Sequence, residues 1–156
     1  MRNILFFVDF GCSCGLFCAY LSLMMPSTSK IIGIEICELR TIHFRRFMKI
    51  VECLPFKHSK LELLYGDGLK YGGNDLVIKQ AHVIFVNDIK VPASVVAKLI
   101  YGGILEPGTK VITLNFEPSK RDPHLVKSIS VPKAVAVEFW HSSAIVPFVS
   151  VKIFQM

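Results

Sequence analysis

Charge is scarce in this chain, and acidic charge scarcer still. Only 19% of the 156 residues are charged, with twelve Asp and Glu against eighteen Lys and Arg. An apolar fraction of 52% beside so little charge excludes a disordered tail. Internal repeats and low-complexity tracts are absent, which excludes a solenoid or a linker. A clean membrane span is lacking too. The nearest approach is residues 4–25, 22 residues preceded by Arg2, whose single charge is Asp9. A carboxylate in mid-run costs about 2.5–3.5 kcal/mol to insert, and Gly11 and Gly15 flank two cysteines and a serine as a turn does. These features argue against a secreted or membrane reading of that stretch. Five cysteines form an odd set without paired-loop spacing, which points to a reducing compartment. Cys12, Cys14 and Cys18 have no histidine near them in sequence, so no metal site is expected.

What is present describes one domain, residues 1–156, with no boundary inside it. The mean hydropathy of +0.49 fits a sheet covered on both faces, whose strands are apolar throughout. A net charge of +6 and a pI near 9.1 suit an anionic partner such as nucleic acid or chromatin, and equally a solvated basic surface. Nothing in the chain specifies an oligomeric state.

Along the chain, apolar runs and helical periods alternate. Leu5-Phe6-Phe7-Val8 reads as a buried strand ending at Asp9 and Phe10. A loop over 11–15 follows, then a buried helix over 16–25 stopped by Pro26. Ile31-Ile32-Gly33-Ile34 is a second strand ending in Glu35. Leu39, Ile42, Phe47, Ile50, Val51 and Leu54 then recur at helical spacing, predicting an amphipathic helix that lays these residues on a sheet. Its polar side holds Arg40, His43, Arg45, Arg46, Lys49 and Glu52. Residues 61–65 and 83–86 read as strands three and four, closed by Gly66-Asp67-Gly68 and by Asn87-Asp88. Pro92 opens a helix carrying Val95, Val96, Leu99 and Ile100. Strand five is 110–114, and two more β-rich runs cover 134–139 and 146–154. The expected fold is α/β, a doubly wound, mostly parallel seven-stranded sheet with an antiparallel edge hairpin.

An open parallel sheet binds ligands at the carboxyl ends of its strands. Asp9, Glu35, Asp67 and Asn87 fall at four such ends in order. The 11–15 turn lets backbone approach a ligand beside a helix N-terminus. Glu35, about 20 residues beyond, is placed to accept hydrogen bonds from both hydroxyls of a ribose. Asp67 can accept from an exocyclic adenine amine, and Asn87 offers donor and acceptor where a reacting amine would lie. Each also has a plain structural reading: Asp9 and Asp67 as caps or turn formers, Glu35 as a favourable charge at a helix start, Asn87-Asp88 as a turn.

Val8-Asp9-Phe10-Gly11-Cys12-Ser13-Cys14-Gly15 resembles the V-D-L-G-S-G-x-G loop of class I S-adenosylmethionine-dependent methyltransferases. Gly33-Ile34-Glu35 and Gly66-Asp67 are similar to their second and third motifs. Val83-Ile84-Phe85-Val86-Asn87 resembles the V-I-F-V-N-N segment of the disruptor-of-telomeric-silencing family, which methylates a lysine in the globular core of histone H3. Trp140 and the run 146–154 are similar to that family's final hairpin. The resemblance spans most of the chain in short segments. It implies a Rossmann-like fold, S-adenosyl-L-methionine as cofactor, and a histone or nucleosome as protein partner in the nucleus. By it Asp9, Gly11, Gly15, Glu35, Asp67 and Asn87 contact the cofactor, and Asn87 also faces the lysine, as the catalytic position. The reaction it implies is direct methyl transfer to a neutral lysine amine without a metal.

The departures are specific. Ser13 stands at the family's middle glycine, Leu16 at a glutamine, Gly68 at a phenylalanine that stacks on adenine, and Asp88 at the second asparagine. Pro147-Phe148 replaces an aromatic pair, and the family's upstream helical region has no counterpart here. The alternative these imply is an inactive methyltransferase-like interaction module that binds cofactor weakly or not at all.

Overall fold

The computed structural model describes residues 5–70, 76–87, 91–114, 116, 122–132 and 148–155. Each apolar run of the first half becomes a parallel strand. β1 (Phe6–Phe10), β2 (Lys30–Glu35), β3 (Lys60–Tyr65), β4 (Val83–Val86) and β5 (Lys110–Thr113) pair in the order β3-β2-β1-β4-β5. β7 (Phe148–Gln155) joins β5 antiparallel, and β6 (Leu125–Pro132) closes the edge, so the sheet has seven strands. β1 lies central between β2 and β4, and all five of its residues are buried. That is the reason for its apolar composition on either side of Asp9.

Helices cover both faces. α1 (Leu16–Met24) and α2 (Glu38–Glu52) pack together on one side, enclosing Phe7, Cys18, Ala19, Ile31, Phe44 and Val51. On the other side, the short α3 (Leu76–Lys79) and α4 (Ala93–Tyr101) enclose Val8, Ile32, Ile84, Val86, Leu99 and Val111. Pro92 is the N-cap of α4, where its missing N–H costs nothing. All five cysteines are free thiols. Among the described residues no helix is long and apolar enough to cross a membrane, and no His, Cys, Asp and Glu group is arranged to hold a metal ion.

Three expectations are corrected. The buried side of α2 is Thr41, Phe44 and Val51, with Phe47 and Met48 half-buried. Leu39, Ile42 and Ile50, expected on the sheet, are exposed, Leu39 to 73%. Thr41 is accommodated in the interior because its hydroxyl donates to the Glu38 carbonyl at 2.6 Å, which satisfies its polar atom within the helix. α1 is not buried all round: Leu16, Tyr20, Leu23 and Met24 face outward. The edge pair is β6 with β7, and β6 begins ahead of the expected run. A register shift between Leu125 and Lys127 interrupts the alternation that would have marked it. The run 134–139 lies outside the described residues, as do Trp140, Pro147 and Asp88.

The corrected helix face has a direct consequence. Phe44→Ala should cost about 3–5 kcal/mol of unfolding free energy, the range for a fully buried ring. Leu39→Ser should stay within about 0.5 kcal/mol, as surface changes do. Urea unfolding of both variants checks the assignment, and a large loss at Leu39 would restore the original phase of the helix.

Candidate functional site

The site is built where β1, β2 and β4 end. After Phe10 the chain reverses through three left-handed residues, Gly11 (φ 79°), Ser13 (φ 54°) and Gly15 (φ 77°). The turn hangs on β2, because Gly11 N–H and Cys12 N–H both donate to the Ile34 carbonyl at 2.9 Å. Gly15 is the N-cap of α1. A Cβ there would fall 2.2 Å from the Phe44 ring, so this glycine is required by packing as well as by its backbone angle. Gly11 differs: a Cβ would meet only Val91 Cγ2 at 3.8 Å, so its surface is open. Ser13 pays about 1–2 kcal/mol for the left-handed conformation a glycine would adopt freely.

That strain is held by Glu35. Its carboxylate, 3% exposed, accepts Ser13 N–H on Oε2 at 2.8 Å and Cys37 N–H on Oε1 at 2.7 Å. Arg40 Nη1 lies 4.0 Å from Oε2. Cys37 is the N-cap of α2, so the same carboxylate ties the glycine turn to the start of that helix. Each oxygen retains a lone pair for a further donor. Ile36, the next residue, is 68% exposed and offers an apolar surface beside it.

Asp9 is the second buried carboxyl, 2% exposed and turned under α1, where Cys18 Sγ donates to Oδ2 at 3.3 Å. Burial raises its pKa to about 7, the Cys18 bond lowers it, and the Glu35 charge raises it. Burial likewise pushes the Cys18 thiol well above its ordinary value. Asp67 lies at the end of β3 as a turn former, its Oδ1 accepting Leu69 N–H at 3.0 Å. Asn87, just beyond β4, is different again. Its Oδ1 is buried and has no hydrogen-bond partner among the described residues. A buried orphan acceptor costs about 1–3 kcal/mol, and such a group calls for an explanation in what it is meant to bind.

The structure therefore brings Asp9, Gly11, Gly15, Glu35 and Asn87 to the ends of three adjacent strands, β2, β1 and β4, with Asp67 at the end of β3 beside them. Glu35 and Asp67 already hold backbone N–H groups, whereas Gly11 and Asn87 leave surface and acceptor unused. Three features escaped the sequence reading. Thr113, at the end of β5, also carries a buried hydroxyl without a partner. Ile36 is exposed. Phe10 fills the place above Gly68: a Cβ on Gly68 would fall 2.4 Å from its ring. A glycine where an aromatic was expected, paired with an aromatic two residues before Ser13's neighbour Cys12, was the available signal for the last.

The architecture has solved counterparts. The M1A22 tRNA methyltransferase TrmK of B. subtilis superposes with a TM-score of 0.66 at 15% identity, over 98% of this chain and 60% of that one. TrmN from Thermus thermophilus gives 0.67 at 14% identity, over 97% and 43%. A putative caffeoyl-CoA O-methyltransferase from Staphylococcus aureus gives 0.64 at 13% identity, over 98% and 77%. The fold is the Rossmann-like fold of methyltransferases. The chain spans about 60% of the length of TrmK. No protein-family model matches it, and no curated protein does. The likeness to the disruptor-of-telomeric-silencing family thus rests on the sequence segments, and the solved neighbours include one described as a tRNA methyltransferase and one as a putative O-methyltransferase.

The raised pKa of Asp9 fixes the sign of a stability effect. An acid whose folded pKa lies above its unfolded value binds more protons when folded, so its contribution is most favourable below the unfolded pKa. Stability is then lost from about pH 4 upward to about pH 7, at about 1.4 kcal/mol per unit, and levels off beyond. Asp9→Asn keeps an acceptor for Cys18 and cannot ionise. Its unfolding free energy relative to the wild type should therefore rise by several kcal/mol between pH 4 and pH 8. Parallel pH curves for the two proteins would show that Asp9 does not titrate in this range.

Proposed function

We propose that the chain is an S-adenosylmethionine-dependent N-methyltransferase whose acceptor is a protein lysine. The observation that carries the reading is the unpaired, buried Asn87 Oδ1 at the carboxyl end of β4, beside the open backbone of Gly11. In a sheet of this kind that edge is where a ligand sits. The residues present fit the cofactor. Gly11 admits it closely, Glu35 has an acceptor site left on each oxygen for the ribose hydroxyls, Ile36 offers an apolar surface, and Asp67 retains Oδ2 for an adenine amine. The cofactor supplies a methyl group on a sulfonium centre, an electrophile toward an uncharged amine.

The chain's own groups then have limited work. Asn87 positions by hydrogen bonds and carries no charge, which suits an acceptor that must be neutral to react. A carboxylate in its place would favour the ammonium form of a lysine and so block attack. The lysine acceptor is supported by the Val83-Ile84-Phe85-Val86-Asn87 segment and its family resemblance. A histone substrate, and with it chromatin and the nucleus, belongs to the same proposal. A second reading, a tRNA acceptor, draws on the +6 charge and on the description of TrmK.

Calorimetry with S-adenosylhomocysteine tests the cofactor site without requiring turnover. Glu35→Ala should weaken binding by about 1.5–3 kcal/mol, the scale for hydrogen bonds to a charged group. Asn87→Ala should lower both binding and activity, whereas Asn87→Asp should cost turnover more than binding, with the loss easing at higher pH. Tritiated methyl transfer to nucleosomes, free histones and tRNA then separates the acceptors. Absence of any S-adenosylhomocysteine binding by the wild type would leave the inactive interaction module as the reading.

A further inference from the structure

The outer surface of the α1–α2 layer takes no part in the site, and its composition is unlike a solvated face. All four exposed positions of α1 are apolar or aromatic: Leu16, Tyr20, Leu23 and Met24, the last 65% exposed. On α2 beside it, Leu39, Ile42, Arg46 and Ile50 follow one another at spacings of three and four, so they form one stripe on the side opposite Phe44. Phe56, just past the helix, is exposed as well. Seven of these are large apolar or aromatic side chains on two adjacent helices, plus Phe56. So many exposed apolar side chains on two helices that pack together mark a protein–protein contact.

Charge decides what covers it. Arg45, Arg46 and Lys49 on α2, and Lys57 beyond it, make no ion pair among the described residues. The acidic residues of the helix, Glu38 and Glu52, sit at its two ends. Arg46 falls within the aliphatic stripe, between Ile42 and Ile50. A bilayer would have to take that guanidinium into its apolar boundary, where segregated faces are the rule. A nucleic acid would neutralise the cations but leave Leu39, Ile42, Ile50 and the α1 residues in water. A second copy of this chain would bring the same cations together. An amphipathic helix with carboxylates flanking an apolar stripe satisfies both features, laying its anchors along the seam while its acids meet Arg46 and its neighbours. We infer that the α1–α2 face is a docking site for an acidic amphipathic helix of a partner protein.

The test is selection from a display library of random helical peptides against the whole immobilised chain, followed by affinity measurement on the enriched peptides. Enriched sequences should be acidic and amphipathic. Their affinity should fall at least ten-fold with Arg46→Glu and with Leu39→Ser/Ile50→Ser, and stay within two-fold with Lys110→Glu, an exposed cation at the start of β5. Thermal unfolding of each variant confirms that the fold is kept. The inference is overturned if no peptide is enriched, if enriched peptides lack acidic residues, or if the α2 variants bind as the wild type does. It is equally overturned if those variants instead abolish sedimentation with phosphatidylserine vesicles, binding to tRNA, or self-association of the chain.

Discussion

The Phe44 ring is the piece around which the carboxyl-end edge of the sheet is assembled. It is fully buried, and it occupies the space that side chains at both Gly15 and Gly33 would need, each Cβ falling 2.2 Å from ring atoms. One aromatic of α2 thereby packs against the start of α1 and the middle of β2 together. Interiors are close-packed, so such a wedge leaves little freedom in how the three elements meet. The glycine turn inherits its position from that packing. Its reversal at Gly11 and Cys12 is then fixed by two hydrogen bonds to Ile34, the residue after Gly33 on the same strand.

Polar groups complete what the ring begins. Glu35 emerges from β2 and joins the turn to α2 through Ser13 and Cys37, two N–H groups that would otherwise be unsatisfied next to the core. Asp9, one strand away, has a single thiol donor and is set against the Glu35 charge. Two buried carboxyls thus divide their roles by their donors, one tying the turn to α2 through two backbone N–H groups and the other, its pKa raised to about 7 by burial, lying under α1. The sequence names both residues as strand-end acids and does not distinguish them, because the difference lies in partners from α1 and the turn.

Much of the fold was legible because buried parallel strands have no polar face to disguise them: the runs ending at Phe10, Glu35, Tyr65 and Val86 lie where apolar composition says. The phase of α2 was not legible, for a physical reason. Its exposed side carries Leu39, Ile42 and Ile50, and its buried side carries Thr41, so an apolar count weights the wrong face. β6 was hidden by the irregularity near Leu125, which breaks a period of two. Within the site, order and spacing identified Asn87, yet only the structure shows that its acceptor is buried and unused. Gly15 was legible as a glycine but not for its packing reason.

Two departures from the methyltransferase motifs become one when read in space. The resembled loop has leucine where this chain has Phe10, and the resembled third motif has phenylalanine where this chain has Gly68. Here the Phe10 ring lies over Gly68, so close that even a Cβ at position 68 would fall 2.4 Å from it. A larger residue on β1 and a glycine after β3 keep one aromatic ring at this place, with the net loss of a leucine side chain. The ring between β1 and the loop after β3 therefore comes from β1, where it is buried in the core. Restoring a phenylalanine at position 68 alone would overfill the space, and it would require Phe10 to shrink with it. Ser13 admits no such exchange, since what it departs from is a backbone angle and not a volume; it keeps the glycine conformation at φ 54° because Glu35 holds its N–H.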